Sequence, residues 1–401
     1  MRSFVSIAVT AISLTQYALA APNGYGSGQC PPGRTAKAIY FQTNMPTGNS
    51  VVAIPIMSNG GLDTSKYSTH ATGGNGSAGM EAMNVTAGPD PLFSQDAVVV
   101  KGHMLFATNA GSNTLTMFNI DPRHPTCLTM VGKPASTMGD FPVAVAYSKK
   151  LKTACVLNSG ASDGVACYSV SARTGLKPLD KSARKFNIGQ STPPVGPTGT
   201  VSDIFFTPDS KSLIVMVKGN PPTNVAGFVA VFPVHNGKVS LTPVKSNPTG
   251  SVALFGSSMI SNTDIIATDA GFGTMKLKLN PQTHAVVADV KTTIAGQAAT
   301  CWTAFSAKTG SVYVTDIKMN RIEEVSASSG KVVSVLNFTN GNMGNIDDAV
   351  GGDFLYTLSP STKKVDIAVV GLACGQGNMK ELGTFSIANG ANQFSQGLAI
   401  Y

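Results

Sequence analysis

No window of this sequence sustains the 3.6-residue apolar period of an amphipathic helix, which excludes a helical bundle and leaves strands to organise the apolar residues. Long hydrophobic runs are missing as well. Past the N-terminus no stretch approaches the ~20 apolar residues that a transmembrane helix needs, so no membrane span is expected. Charged side chains make up only 12 % of the chain, and the net charge of +8 comes from scattered residues and short pairs such as Lys149-Lys150, Arg184-Lys185 and Lys363-Lys364. Without a dense basic stripe interleaved with aromatics, nucleic acid is excluded as a partner. Neither a C-x-x-C pair nor a Cys/His cluster occurs, so no structural metal site is expected. A Gly-x-Ser-x-Gly elbow and a phosphate loop are also absent, and no cofactor is implied.

What is there in quantity is turn chemistry, with 42 glycines and 23 prolines separating short apolar runs. The chain opens on a targeting segment. Arg2 supplies a positive start, Phe4 to Leu14 an apolar core, and Ala18-Leu19-Ala20 a cleavage signal, so residues 1–20 read as a signal peptide. Residues 21–34, with the Gly-rich Asn23 to Gly28, read as an N-terminal extension of an exported protein, either secreted freely or held at a cell wall. In that setting the even count of cysteines (Cys30, Cys127, Cys155, Cys167, Cys301, Cys374) makes disulfides the default. Cys155 and Cys167 flank a turn centred on Ala161, and an antiparallel hairpin would place them opposite each other, within bonding geometry. The other pairings stay open. Asn75-Gly76-Ser77, Asn84-Val85-Thr86 and Asn337-Phe338-Thr339 fit the glycosylation sequon.

From residue 35 onward one unit recurs: an apolar strand, a tight turn, a second strand, a Gly/Asn/Ser loop, a third strand and a weaker fourth. The second strands are plainest, from Ala38-Ile39-Tyr40-Phe41 through Leu105-Phe106-Ala107-Thr108-Asn109 to Phe354-Leu355-Tyr356-Thr357, seven in all. Six have an apolar strand just upstream, at 96–100, 142–147, 202–206, 252–255, 301–305 and 346–350; the first has none. Four-stranded units repeated this way imply an all-β, seven-bladed β-propeller over residues 35–401. The missing strand of the first blade is the last strand of the chain, Phe394-Ser395-Gln396-Gly397-Leu398-Ala399-Ile400-Tyr401, whose start repeats Phe93-Ser94-Gln95. Pairing the two closes the ring without an open edge. Insertions at 63–92 and 186–201 precede innermost strands, and either is long enough to serve as a lid or binding loop.

Tyr313-Val314-Thr315-Asp316, Leu105-Phe106-Ala107-Thr108-Asn109 and the Pro208-Asp209 turn resemble the YVTN-type propellers, and within these the lactonase family of 6-phosphogluconolactonase and 3-carboxy-cis,cis-muconate lactonizing enzyme. The resemblance covers nearly the whole mature chain and rests on the repeat pattern. An exported version with cysteines and sequons is similar to secreted fungal glycoproteins of muconate-cyclase-like type. The resemblance implies a small lactone or aromatic-derived acid bound at the central channel, with His, Arg and Glu around its mouth. This chain departs from that set: its arginines (Arg34, Arg123, Arg173, Arg184, Arg321) are on no innermost strand, so no family residue is carried over.

Read from the residues alone, the innermost-strand starts offer Gln95, Asp96, Asp203, Trp302, Asp347, Asp348 and Gln396, and the second-strand ends offer Asn109, Asn158, Lys218, Asp269, Asp316 and Lys318. Lactone opening needs a base to activate water and a donor or cation for the oxyanion. Asp203 or Asp348 is the candidate base and Lys218 the candidate cation, with Gln95, Trp302, Gln396, Asp269 and Asp316 as ligand-binding candidates. Two readings remain open: a secreted lactone-forming or lactone-hydrolysing enzyme, and a non-catalytic glycoprotein binding host matrix, carbohydrate or protein.

Overall fold

A computed structural model describes residues 36–401 with the exception of Asn389. The signal peptide, the whole of the N-terminal extension and Cys30 therefore lie outside the described residues. The described chain forms seven antiparallel sheets arranged as the blades of a propeller, and a small hairpin of Met80–Glu81 with Val85–Thr86 lies apart from them. The only helical turns among the described residues are 3-10 turns at Ala82–Asn84 and Pro221–Thr223. No described helix is long and apolar enough to cross a membrane.

Blade one is made of Ala38–Gln42, Ser50–Pro55 and Ser68–Ala71, with Gln396–Ile400 as its innermost strand. The closing pair is antiparallel, with Ile39 opposite Ile400 and Gln42 opposite Gln396. Backbone bonds from Lys37 N to the Tyr401 carbonyl at 2.7 Å and from Tyr401 N to the Ala38 carbonyl at 3.0 Å finish the seam. The other innermost strands are Val98–Lys101, Pro142–Ser148, Val201–Phe206, Leu254–Met259, Thr300–Ser306 and Ile346–Gly351. Blade two differs from the sequence expectation, because its strand begins at Val98 and leaves Phe93-Ser94-Gln95 free to do something else.

The core is divided. Seven apolar clusters lie one between each pair of neighbouring blades. A middle strand feeds two of them, since alternate side chains point to opposite faces. Val312 and Val314 thus pack toward blade five with Ile266, while Tyr313 packs toward blade seven with Leu355. Burial on both faces is why the second strands read as continuous apolar runs, Ser212–Val217 (SLIVMV) being one. Outer strands face water on one side and alternate, as Val286–Thr293 does.

The hairpin of Thr153–Asn158 and Gly164–Ser171 sets Cys155 opposite Cys167, and the two are disulfide-bonded with Cα atoms 4.0 Å apart. Cys374 is also disulfide-bonded. Cys127, exposed, and Cys301, buried, are free thiols, so the default of full pairing does not hold for these two.

Six of the seven innermost strands carry a register shift near their first residue, between Val201 and Asp203, Thr300 and Trp302, and Ile346 and Asp348 among them. Such bulges re-aim the side chains beside them. Here they do so at one end of the channel, the end where the innermost strands start, termed the upper end below.

Candidate functional site

The upper end is filled by the chain itself. Segment Asp90–Gln95, the tail of the first insertion, lies across it and bonds to five blades. Ser94 Oγ donates to the Val143 carbonyl of blade three at 2.9 Å. In blade four, Lys218 Nζ donates to the Phe93 carbonyl at 2.5 Å and to the Val201 carbonyl at 3.2 Å. Gln95 Nε2 donates to the Ser257 carbonyl of blade five at 3.3 Å, and its Oε1 accepts the Thr303 amide of blade six at 2.9 Å. Gln396 of blade one donates to the Ser94 carbonyl at 2.6 Å and to Asp90 Oδ1 at 2.9 Å. This is a plug.

Two insertions clamp it. A Cβ on Gly79 would lie 2.5 Å from the Phe93 ring and one on Gly196 would lie 2.6 Å from it, so the ring slots between two glycines, one from each insertion. The insertions are tied to each other by Met80 N to the Pro194 carbonyl at 2.8 Å and Gly196 N to the Met80 carbonyl at 2.9 Å. The glycines are required because any side chain would occupy the space of the ring.

The sequence-derived candidates fall out accordingly. Gln95, Trp302 and Gln396 are buried, and their polar atoms are engaged with the plug and its seat; the indole of Trp302 donates to the Ser94 carbonyl at 3.1 Å and meets Phe255 edge-on. Asp269 accepts the amides of Val252, Ala253 and Gly271 at 2.7, 3.0 and 3.0 Å. Asp316 accepts those of Ala298, Ala299 and Lys318 at 2.7, 2.9 and 2.9 Å. Both therefore pin the loops entering innermost strands. By ladder register blade four has Val217 where these two aspartates stand, and Lys218, one residue on, turns into the channel. Its ammonium lies 4.3 Å from the Phe255 ring centroid, and burial pulls its pKa down against the opposing fields of Asp90, Cys301 and Asp203.

Asp348 is buried with no hydrogen-bond partner for either oxygen among the described residues. Burial raises its pKa, and the adjacent Asp347 raises it further. Asp347 is itself raised by burial, although it accepts the Gly397 amide at 2.6 Å. Asp203 is fully buried too, raised by burial and then by the charge of Asp96. A carboxylate can bond another carboxyl only if one of them keeps a proton. With both ionised the pair has no proton to share, whereas with one proton between them Asp203 donates to Asp96. Among the described residues no group of three or more His, Cys, Asp or Glu could hold a metal ion.

The lower end of the channel is open. A cleft of about 550 Å³ lies between the ends of the innermost strands of blades two, three and four and touches blade five. Asp96, half-buried, is on its floor, with Asp203 behind; Lys101, Lys149 and Lys150 stand exposed on its rim. Burial pushes the Asp96 carboxyl up to about 7, against the pull of Lys101. Ser257 also lines the cleft. From the sequence Asp96 is expected at the upper mouth, and neither Ser257 nor Asp90 stands out. Asp96 has a positive φ (64°), as do Asp347 and Gly397 at the starts of two other innermost strands, and no local pattern announces where its side chain lies.

No family model matches the chain, and no curated protein matches it in sequence. Solved structures do match in shape. A protein from Lactobacillus plantarum has a TM-score of 0.60 at 13 % identity, over 92 % of this chain and 100 % of that one. The Pseudomonas aeruginosa periplasmic gluconolactonase has a TM-score of 0.57 at 15 % identity, over 91 % and 99 %. A 6-phosphogluconolactonase, so named as putative, from Bacteroides fragilis has a TM-score of 0.56 at 12 % identity, over 91 % and 98 %. The chain shares the seven-bladed propeller fold of these structures. At these identities the likeness speaks for the fold, and the chemistry must come from the chain's own residues.

Proposed function

We propose that this propeller is an exported hydrolase of small lactones that works from the lower end of its channel. The observation that carries the reading is Asp96, a partly buried residue that lines the open cleft, paired with a buried Asp203 that keeps the shared proton. Asp96 in its ionised form takes a proton from water as the water oxygen bonds to the lactone carbonyl carbon. The carbonyl oxygen becomes an oxyanion in the field of Lys101. When the ring C–O bond breaks, Asp96 returns the proton to the departing ring oxygen, and an open-chain hydroxy acid results. Asp203 holds Asp96 in place and keeps its charge single. A base with a pKa near the working pH is suited to this exchange.

Of the other catalytic candidates from the sequence, Lys218 holds the plug, and Asp348 is a buried carboxyl in the field of Asp347 and Asp96. The disulfide and the exposure of Asn75, Asn84 and Asn337 support an extracellular, glycan-bearing protein. The non-catalytic reading draws on a different observation: Met83, Val85 and Val195 are 93 %, 53 % and 46 % exposed on the clamped insertions, an apolar crest suited to contact with a partner.

The test is a pH-stat assay of the purified protein on δ-valerolactone, γ-butyrolactone and glucono-δ-lactone. Turnover is expected, lowered about 100-fold or more in Asp96→Asn, the usual scale for loss of a positioned base. Because the ionised form acts, kcat/KM should rise as pH passes through about 7 and flatten above it. Absence of turnover on all three lactones would sink the enzyme reading in favour of the binding one.

A further inference from the structure

The floor of the lower cleft carries one more polar group. Ser257 is on the innermost strand of blade five, just past its bulge and opposite Ala267. It is 6 % exposed, and its hydroxyl oxygen is closed off from solvent and has no hydrogen-bond partner among the described residues. Its main chain is committed: the carbonyl accepts Gln95 Nε2 at 3.3 Å, and the amide faces the Asp203 carboxyl. The hydroxyl alone is spare.

A buried hydroxyl without a partner is a cost to the fold. The same ladder position is apolar in three other blades, Val145 in blade three, Ile204 in blade four and Ala349 in blade seven. Blade six has Thr303 there, and its hydroxyl is bonded to Ser258 at 2.9 Å. Ser257 is therefore the one of these five that has a hydroxyl with nothing in the protein to bond, and it lines the same cleft as Asp96.

We infer that Ser257 is a catalytic residue, the donor that holds the substrate's carbonyl oxygen while Asp96 faces the attacking water. This rests on the lactone-hydrolase reading above and adds a role to it. As water attacks, negative charge grows on the carbonyl oxygen, and the Ser257 O–H donates to it without forming or breaking a covalent bond. The hydroxyl meets that oxygen by turning about its own Cα–Cβ bond, and a donor in a partly desolvated cleft is worth more at that moment than in the ground state. Lys101 acts from the rim as a more distant charge, while Ser257 sets the oxygen's position.

The test uses Ser257→Ala in the full-length protein, with δ-valerolactone for turnover, δ-valerolactam as an unreactive binding probe in calorimetry, and thermal melting as the fold control. Since the hydroxyl bonds to nothing in the protein, the melting temperature should be equal to or above that of the wild type. The expected loss in kcat is about 100-fold, the scale for removing one oxyanion donor, with partial recovery in Ser257→Thr. Wild-type turnover with unchanged kcat in Ser257→Ala overturns the Ser257 role and leaves the hydrolase reading standing. A drop in melting temperature without loss of kcat marks the hydroxyl as structural and overturns it too. Lactam binding that is lost in Ser257→Ala, without turnover by the wild type, keeps Ser257 as the carbonyl donor and removes only the hydrolysis. If the wild type neither turns over the lactone nor binds the lactam, both readings fall.

Discussion

The two ends of the channel are built from the same strands and have opposite chemistry. At the upper end Gln95, Gln396, Trp302 and Lys218 are all occupied by bonds to the plug or from it. At the lower end Asp96 meets solvent, and Ser257 has an idle hydroxyl. Polar groups that close a structure have little left for a ligand; groups left unsatisfied at an open cleft are available to one. The insertions make the difference. They enter only at the upper end, where they convert a ring of strand starts into a sealed joint.

The comparison breaks most completely if the seal can be removed without harm. Deleting Gln396–Tyr401 strips blade one of its innermost strand and the plug of its Gln396 contacts. Loss of soluble folded protein is expected, read by circular dichroism and size exclusion. A monomeric truncation that melts like the wild type would show that the ring closes by other means.

Next in size is Phe93→Ala. Phe93 is 3 % exposed between Gly79 and Gly196, and truncation should lower stability by about 3–5 kcal/mol, as for other buried phenylalanines. The lower-end variant Asp96→Asn should cost little stability and most of the activity. Urea titration alongside the lactone assay separates the two; equal destabilisation by both variants would erase the division of labour between the ends.

The smallest effect is a slope with pH. Asp90 and Asp96 are each raised to about 7, and Asp203, Asp347 and Asp348 are raised as well, all chiefly by burial. A carboxyl raised in the folded state binds its proton more tightly there than in the unfolded chain. Its contribution is therefore fully present below the unfolded pKa and is lost as pH rises through the folded value. Lys218, lowered to about 7, has the opposite sign and opposes the loss only above that value. The melting temperature should fall between pH 5 and pH 7.5. Asp348→Asn, which removes a carboxyl beside Asp347, should melt a few degrees above the wild type at pH 8 and level with it at pH 5. That corresponds to about 1 kcal/mol in a protein of this size. A wild-type melting temperature that climbs over this range would contradict the buried, neutral state of the axial carboxyls.

Much of the architecture was legible in the residues. The second strands are apolar on both faces because each lies between two neighbouring blades, and that continuity marked out all seven. The Cys155–Cys167 hairpin could be read because its turn is short and local. The repeated Phe-Ser-Gln was visible too, but its meaning was not. It reads as two strand starts, whereas Phe394-Ser395-Gln396 leads into a strand and Phe93-Ser94-Gln95 lies across the axis. Likewise Asp269 and Asp316 end their strands as polar residues that suit a mouth, and their oxygens are taken up by the amides of neighbouring loops.

The amino-acid sequence by itself determined the blade, its repetition and the strand that completes the ring, because these depend on alternation and turn chemistry within a few residues. The tertiary structure alone decided which end of the ring is open. The plug's bonds join residues as far apart as Ser94 and Trp302, separated by 208 positions. No periodicity along the chain records such a contact. It exists only once the blades have brought their innermost strands around one axis, and it leaves Asp96 and Ser257 facing the side that remains open.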